Sequence, residues 1–212
     1  MFQKQKSCGN SKKLLLVILF VGTQWVHAQD QKTTQEAFSK SYTLETGKKY
    51  NEAIDILQSL NASQNYAEQL QLEKLLYTAK RYDDSVAAYK KAAEIMPESV
   101  EPLLALVNPL ITQNKKDEVK KNHLNILKID PKNSLTNFRL GQIYYNKKEH
   151  AKAEQYFSIS LNLYPFDYDS MLMSGWNYYF LGQYSEAKEL FNRVLLHSPF
   201  DTSATEGLGL IK

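Results

Sequence analysis

Four prolines, Pro97, Pro131, Pro165 and Pro199, stand 34 residues apart in a chain of 212. A fixed period of this size marks an array of stacked supersecondary units, because one such unit cannot bury its apolar face alone and its neighbours must cover it. Each proline follows an apolar or amphipathic stretch (AAEIM, NILKID, SISLNLY, VLLHS), where it can end a helix at little cost. The period therefore predicts repeated helices punctuated by proline. No stretch of useful length alternates with the period of two that a strand requires.

Aligning the chain on the prolines brings other positions into register. Leu140-Gly141-x-x-Tyr144, Ala153-x-x-x-Phe157 and Pro165 in one unit return as Gly175-x-x-Tyr178, Ala187-x-x-x-Phe191 and Pro199 in the next. The small residues let two helices approach closely, and the large rings fill the space that remains towards the next unit. The second unit agrees less well (Leu72, Ser85-x-x-x-Tyr89, Ala92, Pro97), and the first keeps Ala53-x-x-x-Leu57 but lacks the proline and is two residues short. The third keeps Leu106 and Pro131, yet has Val107 in place of the small residue and Pro109 inside its first helix, where a kink is expected.

This pattern resembles the tetratricopeptide repeat over about residues 34–201, strongly in units four and five and weakly in unit three. The resemblance implies an all-α fold: a right-handed α-solenoid of about five helical hairpins (34–65, 66–99, 100–133, 134–167, 168–201) plus a short C-terminal capping helix over 202–212. Helices are expected at about 34–46, 50–61, 67–79, 82–95, 101–113, 116–129, 135–147, 150–163, 169–181, 184–197 and 203–211, after a polar tail at 29–33.

Residues 1–28 read as a secretory signal peptide: Lys4, Lys6, Lys12 and Lys13 without an acid, the apolar run Leu14 to Val21, then Val26-His27-Ala28 as a cleavage site. The run is too short to cross a hydrocarbon core of about 30 Å. Cys8 precedes it, whereas a bacterial lipoprotein needs its Cys just after, so no stable membrane anchor is expected once the leader is removed. The chain has 26 basic and 23 acidic residues; without the four leader lysines it has 22 against 23, a net charge of −1. Removal of Cys8 leaves no thiol, which excludes disulfides, thiolate metal sites and cysteine nucleophiles from the mature protein. The expected location is exported, periplasmic or secreted, in a Gram-negative bacterium.

The groups that an enzyme would need do not converge. His123, His150 and His197 fall at different repeat positions, none with a second ligand at helical spacing, and read as structural residues. Gly207-Leu208-Gly209 has no preceding strand and cannot form a nucleotide cradle. Asp83-Asp84 and Asp117-Glu118 stand at helix starts, where they favour the helix dipole. The lysine pairs Lys48-Lys49, Lys115-Lys116, Lys120-Lys121 and Lys147-Lys148 are interspersed with acids and read as solvated faces, so no nucleic-acid partner is expected. No enzyme activity, cofactor or metal is expected.

What remains is surface. The resemblance implies that positions 2, 5, 9, 12 and 13 of each repeat line a concave groove. These are Leu135, Phe138, Gln142, Tyr145 and Asn146 in unit four, and Asp169, Leu172, Trp176, Tyr179 and Phe180 in unit five. Tyr77 with Lys74 in unit two and Asn108 in unit three extend the line with a more polar character. An aromatic wall marks a contact surface for a protein segment, the competing readings being aromatics that pack on the capping helix, a glycan-binding wall or a homo-oligomer interface. Leu70, Leu104, Phe138 and Leu172 occupy the position where a chaperone carboxylate clamp needs lysine, which argues against that partner.

Overall fold

A computed structural model describes residues 31–60 and 65–211, and all regular structure among them is helical. The helices are α1 (31–46), α2 (Tyr50–Ser59), α3 (Tyr66–Thr78), α4 (Tyr82–Ile95), α5 (Glu101–Thr112), α6 (Lys116–Ile129), α7 (Ser134–Asn146), α8 (His150–Leu163), α9 (Tyr168–Phe180), α10 (Tyr184–His197) and α11 (Thr202–Leu210). The ends of α3 to α11 fall within one residue of those the sequence predicts. The tail expected over 29–33 is a correction: α1 is helical from residue 31, in a stretch without Gly or Pro where Lys32 and Glu36 form an i,i+4 pair. The leader over 1–28 lies outside the described residues, among which no helix is long and apolar enough to cross a membrane.

The 34-residue period is written into the backbone at two further places. The turns after α1, α3, α5, α7 and α9 each hold one left-handed residue, Lys48, Lys80, Asn114, Lys148 and Gly182, with φ between 56° and 74°. The next N–H closes each turn back onto the helix, as Lys115 N to Leu110 O at 2.9 Å, Glu149 N to Tyr144 O at 3.0 Å and Gln183 N to Tyr178 O at 2.9 Å. This is the Schellman arrangement, and only at Gly182 does it come without the penalty of about 1 kcal/mol that a Cβ adds to left-handed backbone.

The second place is the helix start. Asn65, Asn133, Asp167 and Asp201 accept N–H bonds from the first turns of α3, α7, α9 and α11, and Ser99 Oγ accepts from Glu101 N. These five cap residues are themselves 34 apart, and the last four each follow a periodic proline by two residues. Each cap satisfies a donor the helix leaves open and is worth about 1 kcal/mol.

The chain divides into two compact units at Arg81 and Tyr82, so the two helices expected to form repeat two, α3 and α4, belong to different units. In the first unit Ile54, Leu57, Leu75 and Leu76 are buried, and Glu45 on α1 accepts bonds from Gln71 (3.0 Å) and Lys74 (2.8 Å) on α3. Burial pushes the Glu45 carboxyl upward, but the bonds from Lys74 and Gln71 outweigh it and hold the group below the usual carboxylate range.

In the second unit the small residues of a first helix receive the large ring of the second helix in the same hairpin, where the sequence predicts that ring turned towards the next unit. A Cβ at Gly141 would lie 2.4 Å from the Phe157 ring, and one at Gly175 would lie 2.9 Å from Phe191. Phe191 meets a second glycine, because a Cβ at Gly207 on α11 would lie 2.4 Å from the other edge of its ring. Both phenylalanines are fully buried, which is worth about 2–3 kcal/mol each in area removed from water. At the same register α5 and α6 carry Val107 and a buried His123. The helix α5 is continuous from Glu101 to Thr112 through Pro109, whose missing donor falls in the last turns.

Candidate partner-binding surface

Tyr145 on α7, His150 on α8, Trp176, Tyr179 and Phe180 on α9 and Tyr184 on α10 bring six rings together. Phe180, which ends α9, is 53% exposed and stacks on His150 with ring centroids 5.0 Å apart and planes 18° from parallel. Tyr145 on α7 meets both edge-on, at 5.4 Å from His150 and 5.9 Å from Phe180. Tyr179 lies 5.5 Å from Phe180 and 5.7 Å from Trp176, so the ring contacts run unbroken from α7 to α9.

Asn177 holds His150 in place. Its amide donates to the His150 carbonyl at 3.1 Å, which leaves its oxygen as acceptor for the Nδ1–H of the same residue, also at 3.1 Å. Burial raises the Tyr145 hydroxyl above its ordinary pKa, so the phenol stays neutral and can donate a hydrogen bond. The surface is built chiefly from aromatic rings.

The groove residues predicted from the sequence divide into three sets. Tyr145, Tyr179 and Phe180 join the ring cluster, in which Phe180 is exposed and the two tyrosines are half-buried. Trp176 is only partly available: its indole N–H donates to Ser203 of α11 at 2.8 Å and its ring meets the buried Phe191 edge-on at 5.2 Å. Leu172 is half-buried against the core of α9, α10 and α11, and Gln142 is half-buried and accepts a bond from Arg139 at 2.9 Å.

Phe138 is a correction, since only 7% of it is exposed and its ring packs 5.8 Å from that of Phe157. The ring that fills the space over Gly141 draws Phe138 into the same core, where it contributes floor to a cleft of about 500 Å³ edged by Leu104, Leu135, Tyr164 and Asp169. Asn108 is exposed on α5, and Tyr77 is half-buried in the first unit.

Sequence reasoning missed His150 and Tyr184, which it left as a structural histidine and an unremarked helix start. Tyr184 packs 5.8 Å from Tyr179 as His150 packs on Tyr145. The signal was present in the period, because Tyr50, Tyr82, His150 and Tyr184 all open the second helix of a hairpin. Among the described residues no group of three or more His, Cys, Asp or Glu is placed to hold a metal ion.

Tetratricopeptide-repeat models match residues 136–167 and 169–199, the two hairpins that carry the ring cluster. A comparison with curated protein sequences returns no match. Among solved structures, a tetratricopeptide repeat protein from Parabacteroides merdae is 18% identical with a TM-score of 0.68, covering 83% of this chain and 71% of its own. The MamA protein is 18% identical with a TM-score of 0.65 (79% of this chain, 92% of that one). YrrB, described as a TPR protein with an unusual peptide-binding site, is 14% identical with a TM-score of 0.62 (82% and 91%). At these identities the structures bear on the fold alone: together with the two matched models they show tetratricopeptide repeats over residues 136–167 and 169–199 within a helical array of the tetratricopeptide-repeat kind.

Proposed function

We propose that the chain is an exported, non-enzymatic interaction scaffold of the bacterial envelope, which holds a protein segment against the rings of Tyr145, Tyr179 and Phe180. Tetratricopeptide repeats commonly serve as protein-binding scaffolds, and the peptide-binding site of YrrB is an instance on a similar fold. The observation that carries the reading is Phe180, a large apolar ring left 53% exposed at the centre of a continuous aromatic surface. Rigid aromatic rings bury much area at low entropic cost, which suits them to anchor a partner's apolar side chains. Export rests on the leader over residues 1–28.

The test uses the mature protein, whose N-terminus should be Gln29 by sequencing, as bait in an envelope extract with the captured proteins identified by mass spectrometry. Phe180→Ala is the informative variant, because Trp176 also holds α11 and its removal would disturb the fold. A partner recovered by the wild type and lost from Phe180→Ala is the expected result. Recovery of the same proteins by both baits would sink the proposal.

A further inference from the structure

Hairpin α5–α6 lacks the ring pair of its neighbours. Where α7–α8 sets Tyr145 against His150 and α9–α10 sets Tyr179 against Tyr184, the same register holds Ile111 and Lys116. In place of the rings there is a cleft of about 580 Å³, floored by Ile111, Val119 and Ile143. Lys116, Lys120 and Lys147 stand around it, together with Lys115 and the single carboxylate Asp117. Lysines that look dispersed in the sequence thus converge on one apolar floor.

Three of these lysines have no carboxylate within ion-pair distance among the described residues. Lys115 pairs with Asp83 at 3.3 Å, and Glu149 bonds to Lys152 at 2.5 Å, whereas Lys116, Lys120 and Lys147 form no ion pair among the described residues. The Lys120 ammonium instead lies 4.6 Å over the Tyr144 ring. The hydrogen bond from Lys152 holds the nearby Glu149 carboxyl below its ordinary range, and the charges of Lys120 and Lys147 add to the effect.

We propose that this cleft is a second partner-binding site, built for an acidic segment in which an apolar side chain is flanked by carboxylates. The apolar side chain covers the isoleucine and valine floor, and the carboxylates reach Lys116, Lys120 and Lys147 at the rim. Lysine ammonium groups spread over two helices suit several spaced carboxylates better than one compact anion. The site goes beyond the aromatic surface and stands or falls separately from it.

Fluorescence anisotropy tests it with a labelled Glu-Glu-Phe-Glu-Glu peptide and its Gln-Gln-Phe-Gln-Gln counterpart. The wild-type protein is expected to bind the acidic peptide, the more weakly the higher the salt, and to prefer it over the amide peptide. The triple variant Lys116→Gln, Lys120→Gln, Lys147→Gln should bind about tenfold more weakly. Lys48→Gln, Lys80→Gln, Lys188→Gln removes as much charge elsewhere and should bind as the wild type does. Lys147→Gln alone, on the exposed end of α7, gives a second reading if the triple variant loses its helical circular dichroism. Phe180→Ala should leave this binding unchanged, which separates its failure from that of the aromatic surface. Equal binding of the two peptides, equal loss in the control variant, or binding of tripolyphosphate without the peptide would each overturn the proposal.

Discussion

Hairpins α5–α6 and α7–α8 have second helices of 14 residues, the same left-handed turn and a side-chain oxygen at the same place before the first helix, yet their interiors differ. In α7–α8 the close approach is made by Gly141 under the Phe157 ring, with no room for a methyl group. In α5–α6 the same register holds Val107 and His123, so bulk has moved from one helix to the other. The periodic frame of turns and caps is thus independent of how the hairpin interior is filled. The filling also has an electrostatic consequence. A phenylalanine slot asks nothing of its polar surroundings, whereas His123 is 3% exposed and its Nδ1 has no hydrogen-bond partner.

Three experiments act on this comparison. The largest effect is expected from Phe157→Ala, which empties the slot over Gly141 and should cost about 3–5 kcal/mol in urea unfolding. Gly141→Val should be costly in the wild type and much less so beside Phe157→Ala. If the two costs simply add, the pair is not a volume-sharing unit.

The second concerns His123, whose pKa is lowered to about 4, first by burial and then by the charge of Arg139. The folded state keeps the ring neutral while the unfolded chain protonates it near pH 6.5, so stability is present at neutral pH and is lost as pH falls from about 6.5 towards 4. The loss at the acid end is about 3 kcal/mol. His123→Leu should flatten the pH dependence of the urea midpoint over that window by this amount, and an unchanged slope relative to wild type would contradict the assignment.

The smallest effect is at the shared turn. Lys148→Gly removes the left-handed penalty that Gly182 already avoids and should stabilise by about 0.5–1 kcal/mol, whereas Gly182→Ala should destabilise by a similar amount. A thermal melt in which both changes act in the same direction would show that the turn backbone does not set the cost.

The repeat frame was legible because it depends on residues whose backbone demands are local. A proline that follows an amphipathic run stops its helix, and Pro97, Pro131, Pro165 and Pro199 each stand two residues beyond the last residue of α4, α6, α8 and α10. The caps Asn65, Ser99, Asn133, Asp167 and Asp201 carry the same period and could have been read from it. The candidate surface was legible only in outline. Its ring types and helix face were apparent, but burial is decided by what stands opposite, and no residue reveals that alone. Phe138 and Trp176 share a periodic face with Phe180, yet Phe157 drew the first inward and Ser203 and Phe191 engaged the second.

By itself, then, the sequence determined an all-helical array, its period, its turns and the glycine-phenylalanine pairs, since each follows from local sterics and hydrogen bonding repeated at fixed spacing. The tertiary structure decided which rings remain exposed, that the chain divides after Arg81, and that Lys116, Lys120 and Lys147 edge one cleft. Those outcomes depend on packing and electrostatics between elements distant in sequence, which a period in one dimension does not encode.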